Sequence, residues 1–136
     1  MFPADIKILV IDDMLTMRKI VVKTCKDFGF TQFFEAADGE LAWKTLNDQA
    51  GTIGLVISDW NMPNCSGLDL LKRVRSDARF VNLPFILVTA ESEKGQIVDA
   101  IKAGVSAYVV KPFTPDIIKK GFEAAYSKTE SGKKAG

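Results

Sequence analysis

The chain has 136 residues, 47% hydrophobic and 26% charged, with 18 basic against 17 acidic side chains and no histidine. That length suits one domain with a sizeable core, and a net charge of +1 lacks the basic excess of a general nucleic-acid binder. Without histidine there is no catalytic triad, imidazole zinc site or histidine phosphorelay built from this chain alone.

The start, Met-Phe-Pro-Ala-Asp-Ile-Lys, lacks the plan of a signal peptide, and no apolar run is long enough to span a membrane, so a cytoplasmic protein is expected. Ile6 to Ile11 is continuously apolar and reads as a buried strand. Met14, Met17, Ile20, Val21, Thr24, Cys25 and Phe28 then form one apolar stripe of helical spacing, stopped by Gly29. A second strand at Gln32 to Glu35 leads to a helix over 38–48, which Asp38 is placed to cap. Strands at Gly54 to Ser58, Phe85 to Val88 and Ala107 to Val110 alternate with helices over 67–75, 92–103 and 114–127. Gly104 closes the fourth helix; Thr114-Pro115-Asp116 opens the last with a capping hydroxyl, a proline at the first helical position and a carboxylate at the positive end. Residues 1–127 thus read as the domain and 128–136, lysine-bearing and without large apolar residues, as a flexible tail. Cys25 and Cys65 read as two free thiols, too few for a structural zinc site, so any metal would sit on oxygen ligands, which favours magnesium or calcium.

Five apolar strands alternating with five helices imply an α/β domain with a doubly wound parallel sheet. In such sheets ligands bind beyond the carboxyl ends of the strands. The residues there are Asp12 and Asp13 after the first strand, Asp59 after the third, Thr89 after the fourth and Lys111 after the fifth. Taken singly, each has an ordinary explanation as a helix cap, a turn residue or a solvated lysine. Taken together, three carboxylates and one ammonium sum to −2, and two carboxylates ~4 Å apart repel by roughly 4 kcal/mol at an effective dielectric near 20. A divalent cation cancels that charge, and magnesium keeps waters that a phosphate can displace. The chemistry this suggests is phosphoryl transfer to Asp59, with Asp12 and Asp13 holding the metal, Lys111 supplying charge and the Thr89 hydroxyl binding a phosphoryl oxygen. Ala90 is small enough to leave the phosphate accessible. Trp60 has two open readings, a fluorescence reporter beside a metal or a partly exposed ring packed on its loop.

The strings Val10-Ile11-Asp12-Asp13, Thr16-Met17-Arg18, Ile57-Ser58-Asp59-Trp60-Asn61-Met62-Pro63-Asn64, Val88-Thr89-Ala90-Glu91 and Tyr108-Val109-Val110-Lys111-Pro112-Phe113 carry a resemblance over nearly the whole chain. It resembles the receiver domains of two-component signalling, most closely the CheY-like single-domain response regulators of chemotaxis. The resemblance implies a flavodoxin-like sheet of order 2-1-3-4-5, which the residues alone do not yield. It implies phosphorylation of Asp59 by a CheA-like sensor histidine kinase with Mg2+, and metal ligation by the backbone carbonyl of Asn61. It further implies a Thr89–Tyr108 switch pair, influence of Asn61 and Glu91 on phosphate lifetime, and a cis Lys111–Pro112 bond. The implied partners are the kinase, the flagellar motor switch or another output protein, and a phosphatase, with no nucleic acid, no membrane and a monomeric chain. Ser66 departs from the aspartate frequent in the family but can still cap the third helix.

Two other roles compete. A phosphate sink would drain a kinase without any output partner. A magnesium-dependent aspartyl phosphohydrolase would need an acid–base aspartate two residues after Asp59, where this chain has Asn61.

Overall fold

The computed structural model describes residues 2–89 and 94–129. Its elements follow in the order β1 (Lys7–Ile11), α1 (Leu15–Asp27), β2 (Gln32–Ala36), α2 (Gly39–Asp48), β3 (Ile53–Asp59), α3 (Gly67–Ser76), β4 (Phe85–Thr89), α4 (Lys94–Lys102), β5 (Ala107–Val110) and α5 (Pro115–Ser127). The strands are all parallel, in the order β2-β1-β3-β4-β5.

The continuous apolar runs are explained by two covered faces. Along β1, Leu9 and Ile11 pack with Ala42 and Leu46 of α2 and Leu70, Leu71 and Val74 of α3. The alternate residues, Ile8 and Val10, join Val21, Val22 and Cys25 of α1 and Ile118, Phe122 and Ala125 of α5 on the other side. Side chains of a strand point to opposite faces in turn, so a strand buried twice has no polar phase.

Local chemistry sets the helix ends as expected. Asp38, Ser66 and Thr114 cap α2, α3 and α5, accepting hydrogen bonds from the N–H groups of Leu41 (2.8 Å), Asp69 (3.1 Å) and Ile117 (3.3 Å). Gly29 and Gly104 take the left-handed conformation after α1 and α4, with φ of 103° and 89°. The Lys111–Pro112 bond is cis.

One expectation needs correction. At the N-cap of α1, Met14 (58% exposed), and within the helix Ile20 (43%), lie outside the core, while Val22 is buried. The buried stripe is narrower and rotated, because α1 contacts the sheet mainly through Val21, Val22 and Cys25. At the other end, Lys128 and Thr129 are still tied to the last turn of α5, their N–H groups donating to the carbonyls of Ala125 (3.2 Å) and Tyr126 (2.9 Å). The rest of the expected tail, 130–136, lies outside the described residues.

Candidate functional site

Strand register builds the site. Ile11 pairs with Ser58, so Asp12 stands level with Asp59. Asp59 pairs with Val88, and Thr89 pairs with Val110, so Thr89 stands one residue beyond the level of Asp59 and Lys111 two. Residues far apart in the chain therefore share one rim. Backbone bonds hold the steps: the N–H of Asp12 donates to the Ala36 carbonyl (3.2 Å), that of Trp60 to Val88 (3.0 Å) and that of Lys111 to Thr89 (2.7 Å).

One carboxylate oxygen from each of Asp12, Asp13 and Asp59 lies within 4.8 Å of the others. Asp12 and Asp59 are buried and Asp13 is exposed, so the cluster has an open side. The Lys111 ammonium, on a side chain only 19% exposed, reaches Asp59 Oδ1 at 3.3 Å and Asp12 Oδ2 at 3.7 Å. Asp59 Oδ1 also accepts the Trp60 N–H at 2.9 Å, and Asp12 Oδ1 accepts that of Met14 at 2.9 Å. Burial pushes the Asp59 carboxyl above the usual range; the charge of Lys111 opposes this and that of Asp12 adds to it. One lysine does not neutralise the cluster. Three close oxygen donors with no nitrogen or sulfur among them, an open side and a residual negative charge suit a hard divalent ion such as magnesium, and receiver domains bind it at such an aspartate cluster.

The remaining expected residues are distributed around this cluster. Thr89 is buried at the end of β4, and Tyr108, in the middle of β5, is 41% exposed. Asn61 is exposed in the loop after β3. Ala90 and Glu91 lie outside the described residues. Trp60 is not partly exposed: at 8% it belongs to the core beneath the site, drawn in by its backbone bond to β4.

Some supports were not foreseen. Arg18 donates to the Asp12 carbonyl at 2.8 Å and pairs with Glu35 at 3.0 Å, anchoring the β1 end. A Cβ on Gly67 would strike the Asp59 carbonyl oxygen and come within 2.8 Å of Leu87 Cδ2, so only glycine lets α3 start against the back of Asp59. Gly39 permits the same close approach to Cys65, whose Cβ and Sγ would lie 2.6 and 2.8 Å from an added Cβ. A glycine before an apolar helical segment is the only trace these contacts leave in the sequence.

The response regulator receiver domain family matches residues 8–123. The chain is 47% identical over 117 residues to chemotaxis protein CheY1 of Helicobacter pylori, covering 86% of this chain and 94% of that one. It is 44% identical over 122 residues to chemotaxis protein CheY of Pseudomonas aeruginosa, covering 90% and 97%. Among solved structures, the chemotaxis response regulator CheY4 of Vibrio cholerae superposes with a TM-score of 0.80 at 28% identity, over 89% of this chain and 98% of that one. The strand order, the acidic rim and these matches agree: the chain belongs to the response regulator receiver domain family, with the CheY proteins of chemotaxis as its relatives.

Proposed function

We propose that this chain is a phosphorylation-activated chemotaxis switch whose phosphoacceptor is Asp59. The observation that carries the reading is the Asp12–Asp13–Asp59 oxygen cluster with the Lys111 ammonium 3.3 Å from Asp59. The chain has no histidine, so the phosphohistidine donor belongs to a sensor kinase, CheA-like in this reading. An Asp59 oxygen attacks phosphorus, the phosphorus–nitrogen bond of the phosphohistidine breaks, and the imidazole leaves with its electron pair and takes up a proton. Such transfer needs positioning and charge neutralisation more than covalent help. Lys111 and the Thr89 hydroxyl bind phosphoryl oxygens. Asp12, Asp13, Asp59 and the backbone carbonyl of Asn61 would hold magnesium, which would supply positive charge to the transferring group.

The acyl phosphate adds about −1.5 to −2 charges at neutral pH. It draws the Thr89 hydroxyl towards it, and the exposed ring of Tyr108 turns into the space released, remodelling the α4–β5–α5 face. That face then binds an output protein, the flagellar motor switch in this reading, and the chain acts as a cytoplasmic monomer. Asn61, Ala90 and Glu91 govern access of water, and of a phosphatase, to the phosphate. Asn61, two residues after Asp59, carries no acid–base carboxylate, which argues against turnover of external phosphoesters.

Incubation with acetyl phosphate and Mg2+ followed by intact-mass measurement tests the reading. A single phosphoryl gain is expected, lost in Asp59→Asn and without Mg2+. Tighter binding of the phosphorylated form to a motor-switch peptide supports the output role, and equal binding by both forms argues for a phosphate sink.

A further inference from the structure

Asp38 does two things at once. Its Oδ1 caps α2, while its Oδ2 accepts a hydrogen bond from the Asn64 side-chain amide at 3.0 Å, across from the loop between β3 and α3. The Leu41 N–H, followed by the Asn64 amide, outweighs burial and keeps the Asp38 carboxyl below its usual range, so it is an ionised acceptor at neutral pH. Asn64 has φ of 68°, the one left-handed non-glycine residue among the described residues. Beside it, Cys65 is pressed against Gly39, with the Cys65 N–H donating to the Pro63 carbonyl at 2.7 Å. The Gly67 N–H donates to the Trp60 carbonyl at 2.9 Å and closes the loop on itself. The anchor is firm: Arg73 of α3 pairs with Glu40 of α2 at 2.7 Å and lies 4.6 Å from the centre of the Trp43 ring.

Asn61 sits inside this closed loop, one residue from Trp60. We infer that Asn64 is a positioning residue: through Asp38 it fixes the loop that carries Asn61, whose backbone carbonyl the proposed function gives to the metal, and so it sets metal affinity from the far side of the loop. This rests on the reading of the cluster as a magnesium site. Groups that orient metal ligands typically contribute about 10–100-fold to affinity, and a half-exposed hydrogen bond acting through a loop should contribute about three- to tenfold.

The test is Mg2+ titration of the whole protein by calorimetry, without any phosphodonor, alongside urea denaturation. Asn64→Gly suits the left-handed backbone and removes only the amide. Asp38→Ser keeps a capping oxygen for α2 but cannot reach Asn64. Asn64→Gly should weaken Mg2+ binding about three- to tenfold in the native background and change nothing in the Asp38→Ser background. Asn64→Asp, which tolerates the same φ but opposes one carboxylate with another, should weaken binding as well and serves if the glycine variant does not fold. Native affinity in Asn64→Gly overturns the inference. An equal loss in both backgrounds overturns the role of Asp38, and a purely structural role would lower the urea midpoint with affinity intact. Failure of the native protein to bind Mg2+ overturns the metal reading itself.

Discussion

Replacing Lys111 by Met keeps the aliphatic stem and removes the charge that stands between two buried carboxylates. At distances of 3.3 and 3.7 Å the two ion pairs carry raw attractions of roughly 5 and 4.5 kcal/mol at an effective dielectric near 20. Much of this is returned, because the lysine no longer pays for desolvation and Asp59 can escape by taking a proton. Neutralising a carboxyl of ordinary pKa near 3.9 at pH 7 costs about 4 kcal/mol, which caps the loss. The expected destabilisation is therefore about 2–3 kcal/mol at neutral pH without divalent ions, or a fall of about 1–2 M in the urea midpoint. The sign with pH follows from Asp59. Its folded carboxyl titrates above the ordinary range, so its charge weakens the fold at neutral pH and its protonation on acidification removes one of the two charges that Lys111 balances. The deficit should be smaller near pH 4 than at pH 7, the Lys111–Asp12 pair accounting for what remains, and should also shrink when Mg2+ supplies the missing charge. A midpoint unchanged at pH 7, or a deficit equal at both pH values, would refute the electrostatic account and leave only packing of the stem.

Gly67→Ala should lose about 1–3 kcal/mol and slow phosphorylation, because the added methyl displaces the Asp59 backbone; denaturation and the mass assay read the two effects. In contrast, Gly95→Ala in α4, where an added Cβ meets nothing within 4 Å, should leave phosphorylation intact and raise stability by up to about 1 kcal/mol. Glu35, despite some desolvation, is held below its usual range by Lys19 and Arg18, so its pairs stabilise the fold above its unfolded pKa and are lost as pH falls through the folded one. Glu35→Gln should accordingly cost under about 1 kcal/mol at pH 7 and progressively less as pH falls through the folded value of Glu35, measured by thermal unfolding. Burial pushes the Cys25 thiol up to about 12, so it should resist a thiol reagent in the native protein and react only on unfolding.

The architecture was legible because a doubly covered strand has no polar phase, and β1, β3, β4 and β5 all read as continuous apolar runs. The rim was legible for a second reason: strand ends are the one place where a parallel sheet gathers distant residues. Asp12, Asp59, Thr89 and Lys111 could be brought together by that rule alone. What stayed hidden depends on a partner across the fold. Gly67 and Gly39 matter because of the backbone and side chain that press against them, and Asn64 because Asp38 faces it from another loop. The apolar face of α1 was drawn too wide because spacing counts Met14 and Ile20 without knowing the angle at which the helix meets the sheet. Trp60 was misjudged because a residue just after a strand reads as a loop residue, whereas its N–H still bonds β4.

Chemistry and tolerance to change occupy opposite rims of the sheet. The turns that hold Gly29 and Gly51 lie where strands begin, away from the acidic rim, although both glycines take positive φ (103° and 83°) and are themselves fixed by it. A fusion partner or affinity tag inserted beside those turns should leave phosphate uptake untouched, whereas a single extra residue between Asp59 and Gly67 would shift Gly67 off the Asp59 carbonyl and disturb the loop that carries Asn61. The division also ties uptake of phosphate to folding, since no fragment missing β1, β3, β4 or β5 could assemble the four ends at once.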